Sequence, residues 1–429
     1  MDDRFRLDRP RAEALAAAFG TPLYVLDERH LRGRMRAYHE AAFAAAPKAE
    51  VTYATKANST LAILKIAHQE GLKLDVASEG ELRAALLAGV PAADCHLHGN
   101  NKSREEIAYA LAERVAHIVA DNLSELDIIA SLSRKTPVVL RLAPGVDPVT
   151  HAKISTGQDD TKFGFNVADG AAETAVRHCL SLGLDLKGFH CHVGSQLVDP
   201  EAQRAAGTTL ARFAVAMVAH GVHARYLNVG GGLGVRYTDE RPMPMQDYCR
   251  LVTDAVLQGL DGALDPVVAQ EPGRALVAES GVTLYRVGVV KTVPSPTVGR
   301  RTYAVVDGGL SDNPRPALYG ARYTVERPRS ADSYHSLDSE LQSGLFTVSG
   351  KHCETDTLFP DVSLPADLAP GDLLQVLTTG AYNASMASNY NRFRRPAAVL
   401  LREDGSFAEV TRRETWPEMF EREIVPADL

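Results

Sequence analysis

Between residues 51 and 270 the chain alternates, eight times over, a short run rich in Val, Ile and Leu with a stretch of helical character. The strand-like runs are 51–57, 72–78, 95–99, 116–121, 137–143, 186–192, 224–229 and 266–270. Between them lie helical stretches such as Ser59–Gln69, Glu79–Ala88 and Ser103–Glu113, the last opened by a Ser103/Glu106 capping-box pair. Nearly continuous apolar strands separated by helices read as a parallel sheet covered on both faces. A doubly wound open sheet is one solution. Eight units in about 220 residues match a (β/α)8 TIM barrel, which is the fold class expected here.

After about Ala278 the texture changes. Thr283–Val290, Thr302–Val306, Leu345–Ser349, Leu373–Leu377 and Ala397–Leu401 read as strands with few helices between them. The expected division is therefore a barrel over 26–280 and a β-rich domain over 281–429, with residues 1–25, including a helix at Arg11–Phe19, packing on the latter. Glu326–Glu340 is polar and reads as a loop.

A net charge of −8 gives no broad basic surface, so nucleic acid is not expected as a partner. Cys95, Cys179, Cys191, Cys249 and Cys353 are scattered and never form a Cys-x-x-Cys pair, which argues against disulfides and against a zinc site. No metal is expected. The charged start lacks the apolar stretch of a signal peptide, and no run is long enough to span a membrane, so a cytoplasmic protein with no membrane partner is expected.

In a barrel of this kind functional groups gather at the C-terminal ends of the strands. The chain places Lys56, Asp75, Asn100, Asp121, Arg141, His192, Gly230–Gly232 and Glu271 with Gly273 and Arg274 at successive strand ends. A lysine amine there can condense with an aldehyde to a Schiff base. An imidazole such as His192 can stack on a flat ring. The triple glycine lets backbone N–H groups approach a phosphate, and its place after strand seven, with Gly273 after strand eight, matches the phosphate site many barrels share. A carboxylate such as Glu271 facing a pyridine nitrogen keeps that nitrogen protonated. Each feature alone has a bland reading: a surface lysine, a core histidine, a tight turn. Together they describe a pyridoxal phosphate site. The β-rich part adds Arg315 and Tyr319, Cys353 beside Glu354 and Asp356, and Tyr382. Taken singly, these too read as an exposed turn, a small buried thiol and a packing ring.

The strings Tyr53–Asn58, Asp75–Leu82, His98–Lys102, Thr156–Gly157 with Lys162–Gly164, His192–Gln196, Gly230–Gly232, Glu271–Arg274, Arg315–Tyr319, His352–Glu354 and Gly380–Tyr382 resemble, in order and spacing, the fold-type III pyridoxal-phosphate decarboxylases, and within them the diaminopimelate decarboxylase family. The resemblance covers about Thr21 to Arg402. It implies decarboxylation of meso-2,6-diaminopimelate to L-lysine, with pyridoxal 5'-phosphate held on Lys56. It also implies that His192 stacks on the ring and Glu271 pairs with its nitrogen. Ser195, Gly230, Gly231, Gly232 and Gly273 would hold the phosphate, with Asp75, Arg141, Arg274 and Tyr382 completing the cofactor set. Cys353 would return a proton to the α-carbon. The far end of the substrate carries a second carboxylate and ammonium. Arg274, Arg315, Tyr319 and Tyr382 could take the carboxylate and Glu354 the ammonium; Arg274 could contact the cofactor phosphate instead. The resemblance further implies a head-to-tail homodimer whose sites are shared through Cys353 and Glu354. Cys353-Glu354-Thr355-Asp356 is one residue shorter than the family's usual Cys-Glu-Ser-x-Asp, which leaves Asp356 without an assigned role. Residues 151–162 are a plausible lid. Competing readings are a decarboxylase of carboxynorspermidine, arginine or ornithine, and a non-catalytic cofactor-binding homologue.

Overall fold

The structure is a computed structural model, and it describes residues 3–146, 161–330 and 342–429. Residues 151–160 of the lid expected at 151–162, and most of the loop expected at 326–340, lie outside the described residues. The chain divides into two compact units. One comprises residues 32–235 and 240–276; the other comprises 1–31, 236–239 and 277–429.

The first unit is a closed parallel barrel. Its strands are β1 (Ala49–Ala54), β2 (Lys73–Val76), β3 (Cys95–Leu97), β4 (His117–Ala120), β5 (Val138–Ala143), β6 (Leu186–Cys191), β7 (Tyr226–Asn228) and β8 (Val267–Gln270). Each pairs with its sequence neighbours, and β8 pairs with β1, so no edge remains. The (β/α)8 expectation holds. Helices cap as the sequence demands: Ser103 forms the capping box with Glu106, and Asn122 and Ser78 cap the helices that follow them.

Successive residues of a strand face opposite sides, so alternate positions point into the bore. Here the bore is unusually polar. Register pairs Arg141 with His190, and His190 with Asn228. His96 pairs with His117 in the same way, and their rings stack with centroids 4.0 Å apart.

The second unit is built on a nine-stranded mixed sheet. Its main path runs Thr357–Pro365, Ser343–Ser349, Gly299–Val306, Gly281–Ser295, Leu23–Asp27, Ala397–Leu401 and Phe407–Thr411. Leu373–Leu377 and Val325–Glu326 branch from Gly281–Ser295. All five strands read in this region from sequence are present. Its core joins Leu7, Leu15, Leu23, Val25, Leu284, Leu377 and Val399, all fully buried. The N-terminal helix Arg9–Phe19 contributes to it, capped by the Asp8 carboxylate.

Candidate active site

The barrel places eight predicted site positions around one end of its bore. Lys56 stands in a tight turn, Thr55–Ala57, immediately after β1. That turn is fixed from both sides. The Thr55 hydroxyl contacts the Asp75 carbonyl at 2.8 Å and the Glu81 carboxylate at 2.7 Å, while Tyr53 donates to the Asn58 carbonyl at 2.9 Å. The Lys56 amine itself is exposed, close enough to act electrostatically on Asp75 and on His192.

Glu271 follows β8 and is buried. Its Oε1 accepts from Asn228 Nδ2 at 2.6 Å and its Oε2 pairs with His190 Nε2 at 3.0 Å. His98 Nε2 lies 3.0 Å from Oε1 and 3.8 Å from Asp75 Oδ1. Burial alone would raise the Glu271 pKa. The two histidines outweigh it and hold the group well below the usual carboxylate range. Asp75 takes the opposite course: burial pushes it up to about 6, and its Oδ1 is enclosed with no hydrogen-bond partner. Two buried carboxylates thus have separate protonation states, one fixed as an anion and one poised near neutrality.

Burial, then the cations Lys56 and Arg141, keep His192 well below the ordinary imidazole value, so it is a neutral ring. Arg141 is buried, 3.8 Å from Asp121, with Phe163 under its guanidinium at 4.2 Å. Asn100 and Asp121 act locally: the Asn100 carbonyl accepts from Asn122, and Asp121 accepts from the Gly164 N–H at 3.0 Å.

The glycine run is required by packing. A Cβ on Gly230 would come within 2.6 Å of the Cys191 carbonyl, and one on Gly231 within 2.1 Å of the Glu271 carbonyl. Gly230 also has φ +71°, where a side chain is strained. Ser195 Oγ is 3.2 Å from both Nε and Nη2 of Arg274, so this side of the site carries a hydroxyl and a guanidinium beside bare backbone. Gly273 is held against Ala54 and Ala57. A lysine, a fixed anion, a neutral imidazole and a glycine-lined anion cradle fit a phosphorylated pyridine aldehyde.

The other unit carries its own set. Arg315 is buried and donates to the hydroxyls of Tyr237 at 2.7 Å and Tyr323 at 3.1 Å. Its guanidinium also lies 5.7 Å from the Tyr319 ring and 5.8 Å from the Tyr382 ring. Among the described residues no carboxylate pairs with it. Cys353 and Glu354 project from an exposed turn, where the Cys353 N–H donates to Asn391 Oδ1 at 3.2 Å and Tyr390 donates to Glu354. Asp356, left unassigned by the shortened motif, anchors this turn. It accepts from His352 at 2.8 Å and from the Leu310 N–H at 3.1 Å.

Residues 29–278 match the family described as pyridoxal-dependent decarboxylase, pyridoxal binding domain. A diaminopimelate decarboxylase of Bacillus subtilis is 42% identical over 97% of this chain and 93% of its own length. The chain belongs to the diaminopimelate decarboxylase family. The solved diaminopimelate decarboxylase of M. jannaschii in complex with L-lysine superposes with a TM-score of 0.89 at 33% identity, covering 100% of this chain and 98% of that one. The Helicobacter pylori family member, also solved with L-lysine, gives 0.84 at 32% identity over 95% and 98%. The barrel with its β-rich companion is thus the family's architecture.

Three residues of the Glu271 cluster were not singled out from sequence: His98, His190 and Asn228. A signal was present for one of them. His190 precedes His192 by two positions in the run read as a strand over 186–192, and period-two alternation in such a run turns both toward the same side. His98 and Asn228 become visible only when register brings β3, β7 and β8 to the same level of the bore.

Proposed function

We propose that this chain decarboxylates meso-2,6-diaminopimelate to L-lysine and carbon dioxide, the last step of lysine biosynthesis, with pyridoxal 5'-phosphate as cofactor and in the cytoplasm. Bound in the barrel, the cofactor would supply a protonated ring able to take up an electron pair. The residues do the rest. Lys56 binds the aldehyde carbon. Glu271, kept anionic, accepts the hydrogen bond of the ring nitrogen and holds its proton there. His192, as a neutral ring, covers one face without adding a competing charge. Ser195, the Gly230–Gly232 backbone, Gly273 and Arg274 take the phosphate; the two contacts between Arg274 and Ser195 support placing Arg274 with the cofactor rather than the substrate. Asp75 and Arg141 balance the charges of Lys56 and Glu271. Cys353 delivers a proton to the α-carbon.

One observation carries the choice of substrate. Arg315 is a buried guanidinium surrounded by phenols. A buried cation left unpaired is costly, whereas a carboxylate ligand can pair with its planar fork in a bidentate manner. The distal carboxylate of diaminopimelate meets that demand, with Tyr319 and Tyr382 beside it and Glu354 for the ammonium. Lysine and ornithine lack this carboxylate and would leave Arg315 unpaired. The test is carbon dioxide release from meso-diaminopimelate, L-lysine and L-ornithine by the purified holoenzyme. Diaminopimelate is expected to be turned over and the other two to be poor substrates; comparable turnover of ornithine or lysine would falsify the assignment.

The chain works as a homodimer with shared sites, Cys353 and Glu354 completing the neighbour's barrel. Their exposure on a turn pinned by Asp356 supports this, because a proton donor left in open solvent would be unpositioned. Mixing K56A with C353A under conditions that exchange subunits is expected to regenerate activity. A mixture as inactive as its components would overturn the shared site.

A further inference from the structure

Glu271 is gripped by more than one donor, and the two histidines that reach it differ in kind. His190 is enclosed on all sides, and its Nδ1 has no hydrogen-bond partner. A neutral imidazole has one N–H, so the unpartnered Nδ1 places the proton on Nε2, which faces Glu271 Oε2 at 3.0 Å. Burial holds this histidine down to about 4, neutral at physiological pH. His98 is arranged otherwise. Its Nε2 stands 3.0 Å from Glu271 Oε1 and 3.8 Å from Asp75 Oδ1, between the two carboxylates, without a directed hydrogen bond to either. The two rings meet edge to face at 5.0 Å.

We propose that His190 and His98 are positioning residues for Glu271 with divided tasks: His190 fixes the direction of the carboxylate as a neutral donor, and His98 supplies the cation that lets Glu271 remain an anion beside Asp75. The inference rests on the reading of the barrel as a pyridoxal phosphate site, because it gives both histidines a role toward the group that Glu271 meets.

Direction comes from acceptor geometry. A carboxylate offers about four lone-pair directions. Asn228 takes one on Oε1 and His190 one on Oε2, which stops the group from rotating and leaves acceptor capacity for a ring N–H. Charge comes from the pair. Asp75 and Glu271 lie within each other's field, and two neighbouring buried carboxylates compete for one proton. The groups facing His98 are Asp75 on β2, Glu271 after β8, Arg141 on β5, His190 on β6, His96 on β3 and His117 on β4. Burial and Arg141 oppose a charge on His98; Asp75 and Glu271 outweigh them and raise its pKa. With the cation removed both carboxylates titrate higher: Asp75, already the weaker acid, takes up a proton first, and Glu271, without its neighbouring cation, follows at a higher pH than before, where a protonated carboxyl no longer holds a protonated ring nitrogen. His98, His190 and Glu271 also bring ligand atoms within 4.8 Å of one another, a spacing that gripping one carboxylate accounts for.

The experiment measures binding of pyridoxal phosphate to the apoprotein across pH, by fluorescence quenching, independently of turnover. H190F is expected to weaken binding about 10- to 100-fold, the range of a hydrogen bond to a charged group, and H190Q, which keeps an N–H donor, to recover most of it. H98Q is expected to move the midpoint of the pH–affinity curve by about one unit in the direction of a raised Glu271 pKa, with H190Q leaving that midpoint in place. Circular dichroism checks that each variant is folded. If H190F does not fold, H190L, which also lacks a donor, takes its place and the same difference is required. Equal weakening by the donor-bearing and donor-lacking variants removes His190 from this role. An unmoved midpoint in H98Q removes His98. Failure of the unsubstituted protein to bind pyridoxal phosphate is a separate outcome, and it sinks the underlying functional reading instead.

Discussion

The two units carry chemistry in opposite ways. In the barrel the reactive groups are buried and interlocked: Glu271, Asp75, Arg141, His98 and His190 constrain one another within a few ångströms. In the β-rich unit the groups stand apart. Arg315 is buried among phenols, whereas Cys353 and Glu354 are exposed on a turn. A cofactor that stays through many turnovers suits the first arrangement, because its site can be preorganised once. The proton donor and substrate clamp proposed for Cys353 and Arg315 would have to admit and release a different molecule each cycle, which suits the second. Substitutions in the barrel should therefore change the cofactor, and substitutions in the β-rich unit should change turnover while leaving the cofactor in place.

The largest effect tests the barrel side. K56A is expected to abolish carbon dioxide release and the borohydride-trapped cofactor adduct, which in the unsubstituted protein maps to the peptide containing Lys56. An adduct persisting on another lysine would break the comparison at its base. Next comes C353A, expected to lower kcat by about 10²–10⁴-fold, the contribution of a positioned proton donor, while the bound-cofactor absorbance is unchanged. An unchanged rate removes Cys353 from proton delivery. R315M follows: it is expected to lower kcat/KM for diaminopimelate by about 10²-fold, as a lost buried ionic contact does, again with the cofactor spectrum intact. A spectral change in either β-unit variant would show that the division drawn here is too sharp.

Much of this was legible in the sequence because it rests on patterns of local order. The eight strand ends and their residues follow from apolar runs and from the rule that barrel chemistry lies at strand C-termini. Lys56, His192, Glu271 and the triple glycine were found that way. The strands of this unit that escaped were Leu23–Asp27, the two-residue Val325–Glu326, Thr357–Pro365 and Phe407–Thr411. The last two are the outermost strands of the main path. Thr357–Pro365 contains Pro360, a residue that signals a break yet is tolerated on an edge. Phe407–Thr411 is only five residues long and alternates between exposed and half-buried positions, its Phe407 among the exposed ones. Asp356 escaped for another reason. Its partners, His352 and Leu310, are brought together only by tertiary structure, and the bound oxygen occupies space that a Cβ on Gly309 or Gly350 would fill.

The smallest expected effect separates the units by pH. In the barrel, burial lowers His96 to about 3 and His190 to about 4, and holds His117 well below the ordinary imidazole value. The unfolded chain protonates these rings near their usual value of about 6.5. Between those limits the unfolded state binds more protons at these three rings, which outnumber the raised Asp75 and His98, so stability rises with pH and is lost as pH falls from about 6.5 toward 4. In the β-rich unit the buried Asp312 is pushed up to about 7 by burial, while accepting from Tyr285 and from the Gly309 N–H at 2.9 Å. There the folded state binds the extra proton. Its stability is full below about pH 4 and is lost as pH rises through about 7. Hydrogen exchange, corrected for its intrinsic pH dependence, should show protection of β3, β4 and β6 weakening between pH 7 and 5. Over the same interval, protection around Leu23–Asp27 and Gly281–Ser295 should hold or increase. H190Q should flatten the barrel's response and D312N that of the other unit. Parallel loss in both units on acidification would mean that they unfold as one and that the contrast in their buried charges has no separate consequence.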